Sequence, residues 1–374
     1  MRFFEEFTSN TCAGSGNQFF FSMEKNEVRC GRVFYKIRTA GKFRYSLLFS
    51  NILDSTYADG TVGNCNLICS SWELLRARIG RCSSLEKASF MPDSDGTYPV
   101  TGLEQVHGFV ELTFDGHTGK SVAPGEFFAS DPVELEFEAG EYLCLETTFR
   151  GSMIPYHEES IIPAFVQTAG GWQYCRQVPF AGMVGCDRPV KARIAYLGDS
   201  ITQGIGTDID SYAHWNAKLS EMAGPEYACW NLGIGFGRAN DAASNGAWLY
   251  KAKQNDYVVV CFGVNDLSRK PEAQIKQDLG LIVDKLHEAG AKVLLQTLPP
   301  FDYEGERIGL WQRINAYILT QLAQKADAVF DVVPILGNGP EHPEKAVYGG
   351  HPNGEGCSRW AEALYPVLRA LLKD

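Results

Sequence analysis

No apolar run in this chain approaches the roughly 18 residues that a membrane span requires. The longest strand-like run, Tyr257–Val264, is far shorter. Basic residues are in deficit, with 34 Lys and Arg against 45 Asp and Glu and a net charge of -11. That balance excludes the basic patch needed to hold nucleic acid or an anionic membrane surface. The start, Met1-Arg2-Phe3-Phe4-Glu5-Glu6, turns acidic at once and has no apolar stretch followed by small residues. No secretory signal is read there, so a cytoplasmic protein is expected. Metal-ligand spacing is also lacking. Cys65 and Cys69 stand CxxxC apart, but no second cysteine or histidine pair completes a zinc site. Gly233-Ile234-Gly235 lacks the GxGxxG pattern and the placed acid of a dinucleotide site. No metal and no cofactor are expected. The eleven cysteines, among them Cys144, Cys229 and Cys261, mostly have apolar neighbours and read as reduced, buried thiols.

The first half contains no long amphipathic helix. Its runs are short and β-like: residues 32–37, 43–49 and 108–114, with Val133-Glu134-Leu135-Glu136-Phe137-Glu138 alternating strictly. Asp59-Gly60, Asp95-Gly96, Asp115-Gly116 and Pro124-Gly125 mark turns. Residues 1–187 therefore predict an antiparallel β-sandwich of jelly-roll-like form. From about Val190 the pattern changes to strand, loop and helix, repeated. Strands are predicted near 193–198, 227–232, 257–262, 292–297 and 328–333. Helices are predicted near 211–223, 240–253, 271–289, 306–325 and 356–373. Residues 190–374 then form a flavodoxin-like α/β domain, a five-stranded parallel sheet with helices on both faces.

The strand tips of that second half carry chemistry. Ser200 ends the first strand in a turn of small residues, Gly198-Asp199-Ser200. Asn231-Leu232-Gly233-Ile234-Gly235-Phe236-Gly237 follows the second strand, Gly263-Val264-Asn265-Asp266 the third, and His351-Pro352-Asn353-Gly354 opens the last helix. Tips on one edge of a parallel sheet converge in space. Serine is a weak nucleophile by itself and needs a base and an oxyanion hole. In this set Ser200 attacks an acyl carbon and His351 takes its proton. The N–H of Ser200, a glycine N–H and the Asn265 amide hold the oxyanion. Asp199 and Asp266 read as caps of turns and helices.

On these residues the chain resembles the SGNH branch of the GDSL esterase/lipase superfamily. The resemblance covers about half the chain, with four motifs in order: Gly198-Asp199-Ser200, the Asn231–Gly237 loop, Gly263-Val264-Asn265-Asp266 and Tyr348-Gly349-Gly350-His351-Pro352. Thr113-Phe114-Asp115-Gly116, Ser121-Val122-Ala123-Pro124-Gly125 and Ser130-Asp131-Pro132-Val133 are similar to the β-sandwich that precedes this domain in a carbohydrate-esterase subgroup. The resemblance implies a serine esterase acting on a small acyl ester, acetyl, carried by a sugar. Lipid, aryl or thioester acylhydrolysis is the alternative chemistry. A carbohydrate-binding protein with a degenerate hydrolase site is the alternative from another class.

Two positions depart from the family. Tyr348 stands where the family has an acid three residues before the histidine. A phenol is neutral near pH 7 and cannot stabilise an imidazolium as a carboxylate does. Either a Ser–His dyad operates, with a backbone carbonyl orienting the ring, or Glu344 or Glu341 supplies a displaced acid. Phe236 stands where the family has its oxyanion glycine, so Gly235 and Gly237 are both candidate donors. His157, Phe236 and Tyr348 are candidate pocket-lining residues. His214 reads as a packing residue of the first helix, and Trp72 and Trp172 as sandwich tryptophans before sugar platforms.

Overall fold

In a computed structural model, residues 2–14, 16–56, 64–87, 100–101, 105–157 and 162–373 are described. The turns at Asp59-Gly60 and Asp95-Gly96 lie outside them. The first half forms two antiparallel sheets. One carries Thr8–Ser9, Met183–Cys186, Gly41–Ser50, Phe127–Ala129 and Val133–Phe137. The other is seven-stranded and centres on Arg29–Lys36, Tyr142–Gly151 and Trp72–Cys82. Alternation drives their packing. Leu135 and Phe137 are buried, while Glu134 and Glu136, which alternate with them, face solvent. Tyr45, Leu47 and Phe49 of one sheet share a core with Val33, Tyr35, Ile79 and Leu145 of the other. Each such side chain contributes about 1.5–3 kcal/mol on burial. Asp115 and Gly116 both take positive φ, +53° and +81°, in a two-residue hairpin turn closed by Phe114 and His117.

The second half is a parallel sheet in the order Tyr227–Gly233, Ala192–Gly198, Tyr257–Cys261, Lys292–Gln296 and Ala328–Phe330. That is strand order 2-1-3-4-5, the flavodoxin-like arrangement. Period-two alternation along the first strand serves both faces. Ile194 and Tyr196 join a core with Trp215 and Trp360, whose rings stack at 4.9 Å. Ala195 and Leu197 join the opposite core with Trp248, Ile282 and Val283. The order reverses at the first strand, the place where open α/β sheets carry their ligand sites. Ser200 stands there.

Four predicted elements come out differently. The helix expected over 211–223 begins only at Trp215, because Asp210 and Tyr212 take φ of +61° and +51°, incompatible with a helix. The helix expected over 240–253 is two pieces, Ala239–Ala243 and Ala247–Ala252. The Asn66 side chain occupies the place a Cβ would take at Gly246, between them. The helix expected over 306–325 stops at Thr320 and continues as a 3-10 turn, Leu322–Gln324. The strand expected over 328–333 stops at Phe330, and Val333–Leu336, with its proline near the start, is a helical turn.

The two halves are tied by buried polar contacts. Gly14 bridges in parallel to Asn231, on the edge strand of the parallel sheet. Lys251 Nζ lies 2.6 Å from Asp54 Oδ2, both side chains almost wholly buried. Ser55 Oγ donates to Asp241 Oδ2 at 2.6 Å, and His214 Nε2 lies 2.9 Å from the Cys12 carbonyl. Among the described residues all eleven cysteines are free thiols, eight of them buried. No helix among these residues is long and apolar enough to cross a membrane.

Candidate active site

The strand Ala192–Gly198 runs straight into the helix Ser200–Gln203. Glycine is required at 198, because a Cβ there would collide with Thr202 Oγ1 and the Cys261 carbonyl. Asp199 caps the short helix, accepting from Ile201 N–H at 3.0 Å. Burial pushes its carboxyl up to about 7. Gly204, at φ +117°, ends the helix. Ser200 is thereby fixed at the first helical position, half-buried, with Oγ 2.8 Å from His351 Nε2.

His351 sits on the turn that leads into the helix Gly354–Leu371, which Asn353 caps by accepting from Gly356 N–H. The Phe301 ring meets the imidazole edge-on, with centroids 5.2 Å apart. Desolvation holds the His351 pKa below its ordinary 6.5, and no charged neighbour contributes. Among the described residues nothing hydrogen-bonds its Nδ1. Tyr348 does not reach it; its ring lies under the Arg359 guanidinium, 5.6 Å away. Glu344 is buried, and its carboxylate is 3.6 Å from His342 Nδ1. Glu341 is exposed. Neither carboxylate contacts His351.

The loop after the second strand is anchored by Asn231, which accepts from Gly233 N–H at 2.8 Å and donates to the Gln203 carbonyl at 3.2 Å. Gly233 allows the Ser200 helix to lie directly on this strand. Ile234–Gly237 is a tight turn closed by Gly237 N–H donating to the Ile234 carbonyl at 3.0 Å. That bond separates the two glycines left open by the sequence. The N–H of Gly237 is spent, whereas those of Ser200 and Gly235 donate to no protein acceptor among the described residues. Phe236, between the glycines, takes φ +59° and is 43% exposed. The Asn265 amide donates to the Gly237 carbonyl at 3.0 Å, so the third strand tip meets the second. Asp266, buried and raised to about 7 by desolvation, accepts from Ala239 N–H.

His157 lies behind the Ser200 helix rather than on an open wall. It is 1% exposed, with Nε2 2.6 Å from Gln203 Nε2. Burial pushes its pKa down to about 3, so the neutral ring accepts from the Gln203 amide. His214 is similarly buried, with its pKa pushed to about 4. Trp72 is a core residue that donates to Asn51, and Trp172 lies under Arg32 at 4.2 Å. Sequence reading missed Gln18, Gln203 and Phe301. Gln18 reaches the Ile234–Gly237 turn across 217 residues of chain, and no local pattern marks such a contact.

Residues 196–359 match the model of the GDSL-like lipase/acylhydrolase family. No curated protein sequence matches the chain. Among solved structures, the chain is similar to a family two carbohydrate esterase from Clostridium thermocellum, described in complex with cellohexaose. The identity is 12%, over 98% of this chain and 99% of that one, with a TM-score of 0.42. A family two carbohydrate esterase from Cellvibrio japonicus is similar at 12% identity, over 98% of this chain and 96% of that one, with a TM-score of 0.40. The psychrotrophic esterase EstA from a Pseudoalteromonas species is similar at 17% identity, over 49% of this chain and 99% of that one, with a TM-score of 0.39.

Proposed function

Residues 196–359 being a GDSL-like lipase/acylhydrolase domain, and the chain with it a carboxylic ester hydrolase, we propose that it removes a small acyl group, acetyl, from a carbohydrate by Ser–His catalysis. The observation that carries the catalytic reading is the 2.8 Å contact between Ser200 Oγ and His351 Nε2, with no carboxylate among the described residues bonded to the far side of the ring. Ser200 Oγ attacks the acyl carbon as its proton passes to His351 Nε2. The carbonyl oxygen becomes an oxyanion that accepts from the N–H groups of Ser200 and Gly235 and from the Asn265 amide. Collapse breaks the ester bond, and the departing alcohol takes the proton from His351. Water then attacks the acyl-enzyme, its proton passing to the same nitrogen and back to Ser200.

The sugar and the acyl group rest on the resemblance of the N-terminal segments to the carbohydrate-esterase subgroup, which is analogy rather than site chemistry. We also propose that residues 1–187 and 190–374 are two domains that fold as one unit, on the strength of the buried Asp54–Lys251 pair between them. The test of function is turnover of chromogenic esters of increasing acyl length and of acetylated oligosaccharides, with Ser200→Ala as control. Preference for acetyl on a sugar is expected. Preference for long acyl, aryl or thioester substrates contradicts the sugar reading, and binding of sugars without turnover contradicts the catalytic one.

A further inference from the structure

Gln18 belongs to the first half of the chain, yet its Nε2 donates at 3.0 Å to the Gly235 carbonyl in the loop beside Ser200. The side chain is wholly buried. Its own Oε1 has no hydrogen-bond partner. Burying an amide that is only half satisfied costs stability, and an apolar residue would avoid that cost. The position therefore keeps its N–H for a purpose other than packing.

The receiving group is one peptide plane. The Gly235 carbonyl and the Phe236 N–H belong to the same trans unit and point in opposite directions. That unit is the centre of the Ile234–Gly237 turn. Gly235 lies outside the positive-φ region and Phe236 is at φ +59°, the signature of a type II turn. Type II places a left-handed residue third, a position that suits glycine and strains phenylalanine. Rotating the central peptide by about 180° gives a type I turn, which suits phenylalanine and leaves the flanking chain in place. The sequence of the turn thus favours the state that is not observed. The Gln18 bond to the Gly235 carbonyl opposes the rotation, and a glycine at 16 lets this segment lie against Ile234.

We propose that Gln18 is a positioning residue of the ester-hydrolase site, holding the Gly235–Phe236 peptide in the type II state and so keeping the Gly235 carbonyl dipole turned away from the oxyanion that the N–H of Gly235, on the preceding peptide, receives. This rests on the oxyanion reading above. Loss of the bond lets the peptide rotate, which turns a carbonyl dipole outward and the Phe236 N–H inward. Transition-state stabilisation falls while ground-state binding is kept.

The experiment uses the full chain with Gln18→Leu, Gln18→Met and Gln18→Leu combined with Phe236→Gly. Either single Gln18 variant should lower kcat by about tenfold or more, with KM within about twofold and little change in melting temperature. Phe236→Gly should restore much of the lost kcat in the Gln18→Leu background, because glycine accepts the left-handed position without strain. Wild-type kcat in both single variants overturns the proposal. So does a fall in melting temperature with no recovery in the double variant, which marks a structural role. A crystal structure of Gln18→Leu decides without turnover: a rotated Gly235 carbonyl supports the proposal and an unmoved one overturns it. If the wild-type chain hydrolyses no ester, the function fails separately, and the structure of the variant still decides the state of the turn.

Discussion

Ser200 Oγ and His351 Nε2 lie 2.8 Å apart although 151 residues separate them in sequence. The contact joins the end of the first parallel strand to the turn before the last helix. Among the described residues no carboxylate bonds to the other imidazole nitrogen. The pH behaviour follows. Desolvation lowers the His351 pKa, and no acid raises it. The neutral ring is the working form, so kcat/KM should rise with pH through a value below 6.5 and then level off. A titration measured above 6.5 would reveal an anionic partner. Glu344→Gln and Glu341→Gln, singly and together, should leave kcat within about twofold; a loss of orders of magnitude in a folded variant makes that glutamate the third member.

In the proposed mechanism the Asn265 amide, which donates to the Gly237 carbonyl at 3.0 Å, also meets the oxyanion. Asn265→Ala should lower kcat by about 10²–10³ with little change in KM. An effect confined to KM would assign the amide to ground-state binding.

The general outline was legible in the sequence because it rests on local periodicity. The alternation of Ile194 and Tyr196 with Ala195 and Leu197 announces a strand buried on both faces. The Gly198-Asp199-Ser200 turn likewise announces a serine at the strand end, where it meets His351. What escaped was set by distant contacts. Asn66 breaks the helix expected over 240–253 from the other half of the chain. Which of the Gly235 and Gly237 N–H groups is already bonded depended on a single turn bond to Ile234. His157 read as a pocket residue because its sequence neighbourhood says nothing of burial, and it lies instead against Gln203 behind the helix.

The Asp54–Lys251 pair makes the two halves mutually dependent. Removing one member of a buried ion pair costs about 3–5 kcal/mol, because the other charge stays buried and alone. Asp54→Ala should therefore lower the melting temperature sharply. Residues 190–374 alone, which lack Asp54, Gln18 and His157, should be poorly soluble or much less active. A fragment that folds and turns over ester like the full chain contradicts the single-unit reading.

Asp199 should make the protein less stable as pH rises. Its folded carboxyl is pushed up to about 7 from an ordinary 3.8. The fold thus binds more protons than the unfolded chain between those values. The contribution is full below 3.8 and is lost as pH rises through about 7. Asparagine does not titrate and can still cap Ile201. Asp199→Asn should therefore gain melting temperature relative to wild type as pH rises from about 5 to about 8. A difference that shrinks over that range contradicts the assignment.

The most direct test of the central claim, that Ser200 is the covalent nucleophile activated by His351, is peptide mapping of the chain after reaction with a fluorophosphonate. The account predicts a single adduct on Ser200, absent in Ser200→Ala and formed far more slowly in His351→Ala. An adduct on another residue, or labelling of Ser200→Ala at the wild-type rate, would contradict it.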